Sequence, residues 1–76
     1  DEFYPPDGDT GVELMSHDGE EAGIVISGEI EITVGDQVKI LRAGEGYLFD
    51  CRRPHRFHNI STEDCRIMSA CTPPTF

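Results

Sequence analysis

The stretch from residue 29 to residue 34 alternates strictly between polar and β-branched side chains, and this alternation limits the fold more than any other feature. Successive side chains of a β-strand point to opposite faces, so Ile30, Ile32 and Val34 would share one face. Gly35-Asp36 follows as a two-residue turn signal, and Val38 and Ile40 continue the pattern beyond it. The sequence therefore predicts a β-hairpin with one face buried and the other in water.

Other short segments predict further strands, separated by turns rich in Gly, Asp and Pro. The predicted strands span residues 12–17, 22–26, 47–49, 55–58 and 65–72, and the opening Asp-Glu-Phe-Tyr resembles the middle of a strand. The continuous apolar run at residues 22–26 is typical of a buried strand. Eight Gly and five Pro in 76 residues argue against a helical bundle. We expect about seven short antiparallel strands and no helix, which is an all-β sandwich or barrel.

A chain of 76 residues is one small domain. A domain of this size buries only about 60% of the surface that its unfolded chain exposes, so its core is modest. We therefore expect a leftover apolar face and a homodimer formed through it. No run of 18 apolar residues is present, which predicts no membrane partner.

The charge is strongly acidic, with a formal net value of −9, and the first basic residue is Lys39. Such a surface repels phosphate, so the chain alone should not bind nucleic acid, whereas it could attract amines or metal ions. Acidity also keeps a small domain soluble. Three cysteines, Cys51, Cys65 and Cys71, are an odd number without CxxC spacing, which favours free thiols and a cytoplasmic location.

The alternation of side chains along a strand predicts which histidines point into the molecule. If residues 55–58 are extended, His55 shares the inward face with Phe57, and His58 points to water. His17 ends a predicted strand four residues before Glu21, so His17, Glu21 and His55 could converge inside a barrel. Two imidazoles and a carboxylate suit a divalent metal such as Zn, Ni, Mn or Fe. The alternative is that all three are ordinary hydrogen-bonded residues.

The spacing of these residues resembles the two-part motif of the cupin superfamily. His17 is followed after three residues by Glu21 and after six more by Gly28; later, His55 follows Pro54 and precedes Asn59 by four positions. Metal-binding cupins normally carry another histidine at the position of Met15. The resemblance implies a small cupin-type (RmlC-like jelly-roll) β-barrel in which residues 1–76 form a single domain. Since the chain lacks a starting Met, we expect a fragment truncated at its N-terminal strand.

Further segments resemble the C-terminal cupin domain of bacterial regulators with an N-terminal helix-turn-helix of the phage-repressor type, in particular a subgroup linked to polyamines. They are residues 17–23, 27–30, 53–57 and 65–70 and the ending Thr72-Pro73-Pro74-Thr75-Phe76. This resemblance implies a domain that senses a small-molecule effector, such as a polyamine or an amino-acid-like compound, and dimerises. It implies no enzymatic activity, and DNA would be bound only through the missing N-terminal domain.

The candidate ligand-binding residues are Glu21, Tyr47, Phe49, His55 and Phe57. Glu21 would pair with an ammonium group, and the aromatic rings would line its hydrocarbon chain or simply pack the core. Arg52, Arg53 and Arg56 would be solvated, or would anchor a carboxylate ligand or the partner domain. Glu20 is expected at the surface or as a second carboxylate of the amine site, and Cys51 could be redox-active.

Two alternatives remain open. In a small metal-dependent cupin enzyme, a dioxygenase or isomerase, His17, Glu21 and His55 would hold the metal and Tyr47 would act as acid or base. The other alternative is a bare dimerisation module with a vestigial pocket. Met15 argues against the enzyme because it removes one metal ligand.

Overall fold

The computed structural model describes residues 2–10 and 18–72. The regular secondary structure in these ranges consists of β-strands alone. The strands are β1 (Glu2–Tyr4), β2 (Glu20–Ser27), β3 (Glu29–Val34), β4 (Gln37–Arg42), β5 (Gly46–Asp50), β6 (His55–His58) and β7 (Cys65–Thr72). They form two antiparallel sheets, with the orders β1-β7-β2-β5 and β4-β3-β6. The all-β prediction is confirmed. The strand expected at residues 12–17 lies outside the described residues.

The predicted hairpin is formed by β3 and β4, and Gly35 adopts a φ of 61° in its turn. Ile30 and Ile32 are buried on the inner face, as the alternation predicts. Their register partners on β4 are Leu41 and Lys39, so the odd-numbered residues of β4 face inward. Val38 and Ile40 consequently lie on the outer face and are exposed.

The apolar run at residues 22–26 lies within β2, but the prediction that this strand is buried is wrong for its outer face. Val25 is buried, whereas Ile24 is 42% exposed. β2 pairs with β5 on one edge and with β7 on the other, while the second sheet covers only its inner face. The inward positions are therefore Glu21, Gly23 and Val25, which places a carboxylate inside the molecule.

The core lies between the inner faces of the two sheets. Its fully buried members come from both sheets and the loops between them, and include Val25, Ile30, Cys51, Cys65 and Ile67. The cysteines are free thiols, and Cys71 is exposed. Residues 2–10 and 18–72 contain no membrane-spanning helix.

Two motif residues, Gly28 and Asn59, hold the backbone rather than a ligand. Gly28 has a φ of 79°, and a Cβ added there would collide with the carbonyl oxygen of Asp64. The buried Asn59 amide donates to the carbonyl oxygens of Tyr4 at 2.9 Å and Glu63 at 2.7 Å. Asn59, four positions after His55, therefore closes the loop between β6 and β7 through its bond to Glu63.

Candidate functional site

The five predicted ligand-binding residues lie on the inner faces of β2, β5 and β6. Glu21 and Phe49 are each 8% exposed, His55 is 3% and Phe57 is 2% exposed, and Tyr47 is half-buried. Glu21 and Phe49 are register partners across β2 and β5. The inward orientation of His55 with Phe57 is confirmed, and His58 lies on the opposite face, half-buried beside Asp7.

Four of these side chains form one aromatic cluster that joins the two sheets. The ring centroid of Tyr47 lies 5.7 Å from that of Phe49 and 5.3 Å from that of Phe57. The Phe49 and His55 rings are 4.9 Å apart. Such offset and edge-on arrangements are favourable for aromatic pairs. The packed rings therefore lie beside the carboxylate of Glu21, which is the register partner of Phe49.

The Tyr47 hydroxyl donates a hydrogen bond to Oε2 of Glu21 at 2.7 Å. Burial, followed by this hydrogen bond and the Glu21 charge, raises the pKa of Tyr47. The phenol consequently stays protonated at neutral pH and acts as a donor. This speaks against Tyr47 as a general base, because a base must be able to lose its proton near the working pH.

Gly23 provides the space that this contact requires. Gly23 lies opposite Tyr47 in the β2–β5 register, and a Cβ added to it would be 2.5 Å from the Tyr47 ring and hydroxyl. Any side chain at this position would push the ring away from β2. The missing side chain at Gly23 therefore lets the phenol lie across the strand and reach Glu21.

A second carboxylate, Glu2, lies on the inner face of β1 and is not among the predicted site residues. It accepts hydrogen bonds from the Tyr4 hydroxyl at 2.7 Å and from the Ser69 hydroxyl. Glu2 and Glu21 both raise the pKa of Tyr4, after burial as the first cause, so the two carboxylates act on one region. Alternation with the apolar Tyr4 is the sequence signal that could have placed Glu2 inside.

His55 is oriented by its own backbone neighbourhood. Its Nδ1 lies 2.9 Å from the carbonyl oxygen of Arg53. A carbonyl oxygen only accepts, so Nδ1 carries the hydrogen and the lone pair of the neutral ring is on Nε2. This tautomer suits either a hydrogen-bond acceptor or a metal ligand.

The predicted metal triad is tested only in part. Glu21 and His55 are both buried and each lies next to Phe49, whereas His17 lies outside the described residues. Among residues 2–10 and 18–72, no group of three or more His, Cys, Asp or Glu side chains is placed to hold a metal ion. The described donors therefore do not complete a metal site by themselves.

The predicted basic rim consists mostly of paired charges. Arg52 bonds Asp50 at 2.8 Å, and Arg56 bonds Asp9 at 2.6 Å. The hydrogen bonds from Arg52 lower the pKa of Asp50 to about 2. Glu20 is exposed, as expected of a surface acid. Cys51 is buried, which raises the pKa of its thiol, so the redox role considered for it is not favoured.

Comparison with known proteins agrees with this architecture. The family model described as Cupin domain matches residues 2–71. The HTH-type transcriptional regulators PuuR of Escherichia coli (strain K12) and Shigella flexneri are each 47% identical to this chain over 75 residues, which is 99% of this chain. The chain spans 40% of the length of these curated relatives.

Solved structures give the same result. The cupin domain of an XRE family transcriptional regulator from Enterobacter cloacae has a TM-score of 0.83 and 25% identity, covering 96% of this chain and 77% of that one. TT1209 from Thermus thermophilus also has a TM-score of 0.83, with 17% identity over 93% of this chain and 67% of that one. The latter shows the fold alone. The family model, the residue spacing and the two-sheet architecture agree, and the chain belongs to the cupin domain family.

Proposed function

We propose that this chain is the effector-sensing and dimerisation domain of a cytoplasmic bacterial transcriptional regulator. The 47% identity to proteins named as HTH-type regulators supports this assignment, as does the likeness to the cupin domain of an XRE family regulator. The single observation that carries the sensing role is the Glu21 carboxylate, which is buried beside the aromatic cluster and bonded by the Tyr47 hydroxyl. DNA would be held by a separate helix-turn-helix domain.

The chemistry around Glu21 favours a cationic ligand, a polyamine or an amino-acid-like amine. A buried carboxylate is costly unless it is paired or hydrogen-bonded. Tyr47 supplies one hydrogen bond to Glu21, and a ligand ammonium would add a charge-assisted one. The rings of Phe49 and Phe57 would contact the methylene chain. Glu2 offers a second carboxylate on the same inner surface, which suits a diamine.

Binding would act on DNA through a shift in population. A ligand that binds one arrangement of the attached DNA-binding domains more tightly than another favours that arrangement. In this scheme the cupin domain supplies the difference in affinity, and its dimer sets the spacing of the two DNA-binding domains. Whether the ligand strengthens or releases DNA binding depends on which arrangement of the DNA-binding domains binds the ligand more tightly.

Calorimetric titration with putrescine, butylamine and succinate tests the amine site. We expect putrescine to bind, binding to persist with a chelator present, and Glu21→Gln to weaken it at least about tenfold, or about 1.4 kcal/mol. The matched control is Glu20→Gln, which removes the same charge from an exposed neighbour. Binding of succinate alone, and only with metal added, would contradict the proposal.

The regulatory role is tested on the complete reading frame that contains this chain. A helix-turn-helix segment in that frame, together with DNA binding that changes on adding the amine, would support it. A short frame without such a segment would favour the enzyme alternative. That alternative is kept because a predicted oxalate decarboxylase from Thermotoga maritima shares the fold, with a TM-score of 0.79 and 23% identity over 91% of this chain and 59% of that one.

The metal hypothesis remains a prediction that competes with the amine site, because both would use the Glu21 carboxylate. His55, through Nε2, and Glu21 would be ligands, with His17 as the third. His55→Ala should then remove any stoichiometric divalent metal detected by elemental analysis of the chain purified without chelator. His58→Ala, on the opposite face of β6, is the matched control. A metal-free wild type that gains no thermal stability from zinc, nickel, manganese or iron would contradict the hypothesis.

A further inference from the structure

A cavity of about 280 Å³ opens along the seam where the β5 edge of one sheet faces the β4 edge of the other. It is slightly smaller than the roughly 300–1,000 Å³ pockets that hold drug-sized ligands, so it suits a small metabolite. Its deeper part is apolar and aromatic, and its mouth carries two exposed cations. The residues that matter are Ile32, Leu41, Tyr47 and Phe49 inside and Lys39 and Arg53 at the mouth.

These two cations differ from Arg42, Arg52 and Arg56, which are paired with carboxylates. Arg42 forms a salt bridge with Glu29, and Arg52 and Arg56 pair with aspartates. In the part of the chain that the structure describes, Lys39 and Arg53 form no salt bridge, although the net charge of the whole chain is −9. In so acidic a protein, two cations that line one cavity and form no salt bridge in the described ranges favour an anionic ligand there. Arg53 also acts at longer range on Asp50, whose pKa it helps to lower.

The backbone explains why both cations reach the cavity. Lys39 is the register partner of Ile32, so the β3–β4 pairing directs it to the inner face. A Cβ added to Gly35 would lie 2.9 Å from Nη2 of Arg53, so this guanidinium rests against the β3–β4 turn. Strand β4 and the loop after β5 thus each bring a positive charge to the mouth of the cavity. The apolar residues deeper in the cavity can contact the hydrocarbon part of a ligand.

We propose that this seam cavity binds a small organic acid, with Lys39 and Arg53 holding its carboxylate and with Tyr47 and Phe49 contacting its apolar part. The site goes beyond the proposed amine site and does not depend on it. The two sites share Phe49 and Tyr47, and the Tyr47 hydroxyl bonds Glu21 while its ring lines the cavity. A ligand in the seam therefore contacts the side chain that positions the Glu21 carboxylate.

Titration of this 76-residue chain with hexanoate, hexylamine and inorganic phosphate tests the proposal. We expect hexanoate to bind and phosphate to bind at least about tenfold more weakly, because phosphate makes no use of the apolar floor. The overall negative charge of the chain repels both anions, so hexanoate binding reports the local pair of cations. Phosphate binding as tight as hexanoate binding, or hexylamine binding in place of hexanoate, would overturn the assignment to an organic acid.

Variants locate the site. Lys39→Gln and Arg53→Gln should each weaken hexanoate binding about fivefold or more, and the double variant should abolish it. The matched control is Arg42→Gln, which removes a positive charge from the outer face of the same strand and should leave the affinity unchanged. Circular dichroism checks that each variant folds. Absence of hexanoate binding in the wild type, or an equal loss in Arg42→Gln, would overturn the proposal.

The same titrations separate this proposal from the amine site. Glu21→Gln should weaken putrescine binding at least about tenfold and leave hexanoate binding within about twofold of the wild type, because Glu21 is not among the residues that line the seam cavity. Failure of putrescine to bind, with hexanoate binding intact, would contradict the amine effector alone. Putrescine binding without hexanoate binding would overturn the seam site alone.

Discussion

At the scale of single residues, Tyr47 connects the most features of the candidate site. Its hydroxyl bonds Glu21, its ring contacts Phe49 and Phe57, and it fills the space left open by Gly23. Both site tyrosines, Tyr4 and Tyr47, have raised pKa values because burial and nearby carboxylates disfavour the phenolate. The interior is therefore arranged around neutral phenols that donate hydrogen bonds to carboxylates.

This arrangement predicts a loss of stability in alkali. A tyrosine whose pKa is raised by folding contributes its full stabilisation below its unfolded pKa of about 10, and loses it as the pH rises toward the folded pKa. Above about pH 10 the free energy of unfolding should fall by up to about 1.4 kcal/mol per pH unit for each such tyrosine. Urea unfolding at several alkaline pH values measures this slope.

Tyr47→Phe provides the control for this slope, because it leaves Tyr4 and the buried thiols in place. The thiols of Cys51 and Cys65, whose pKa values are also raised by burial, contribute equally to the slopes of both proteins. The variant should be less stable at neutral pH by about 1 kcal/mol, the usual contribution of one hydrogen bond. Above about pH 10, the free energy of unfolding of Tyr47→Phe should fall less steeply with pH than that of the wild type. Equal slopes in the two proteins would show that Tyr47 ionises as readily when folded as when unfolded.

A second residue-scale prediction concerns Gly23. Gly23→Ala should destabilise the domain by about 1–3 kcal/mol, the usual cost of overpacking. In a Tyr47→Leu background the ring that the new methyl would meet is absent, so the additional cost of Gly23→Ala should fall below about 0.5 kcal/mol. Denaturant unfolding of the four proteins gives this coupling. Equal costs in both backgrounds would rule out the contact as their cause.

Parity within single strands predicted part of the site. The alternation of residues 55–58 placed His55 inward because it shares a face with Phe57, and the structure confirms this. Lys39 was not predicted as a site residue, since its inward orientation depends on pairing with Ile32 on β3. Register of this kind is set by the assembled sheet rather than by the local pattern.

At the scale of elements, the β3–β4 hairpin shows how pairing decides burial. Ile30 and Ile40 are both isoleucines in a clear alternation, yet Ile30 is 0% exposed and Ile40 is 41% exposed. The difference arises because inward residues of β3 pair with Leu41 and Lys39, which leaves Ile40 on the outer face. Hydrophobicity alone therefore could not assign the inner face of β4.

The two isoleucines form a matched pair for a stability test. Ile30→Ala should cost about 2–5 kcal/mol, since it removes a buried side chain and leaves a cavity. Ile40→Ala removes the same atoms from a partly exposed position and should cost less than about 1 kcal/mol. Chemical denaturation of the two variants checks the difference. Similar costs would contradict the register of this hairpin.

At the scale of the whole molecule, motif spacing predicted the barrel better than burial patterns did. The positions of Gly28, Pro54 and Asn59 relative to Glu21 and His55 identified the family, and Gly28 and Asn59 have clear structural roles in its loops. The apolar run in β2 misled because half of it faces away from the second sheet. The exposed half of this strand belongs to an apolar patch of the kind that marks an interaction surface.

A second copy of the chain is the expected cover, and the four-stranded sheet is the expected interface. Its outer face exposes Phe3 by 59%, Leu48 by 70%, Met68 by 57% and Ile24 by 42%. Ile24 and Met68 are register partners, so they lie side by side as one apolar surface. The outer face of β3 on the other sheet carries Glu29 and Glu31 instead, which disfavours its burial.

The domain should therefore form a two-fold dimer through the outer face of β1, β7, β2 and β5. Light scattering at micromolar concentration should give about 17 kDa, twice the chain mass of 8.4 kDa. Met68→Lys with Leu48→Lys should produce monomers, because the charges would be buried at the interface without partners. The control is Val38→Lys, since Val38 is 58% exposed on the other sheet and should leave the dimer intact. A wild type that is monomeric across a dilution series, or a dimer lost only in Val38→Lys, would contradict this interface and leave the apolar face for a different partner.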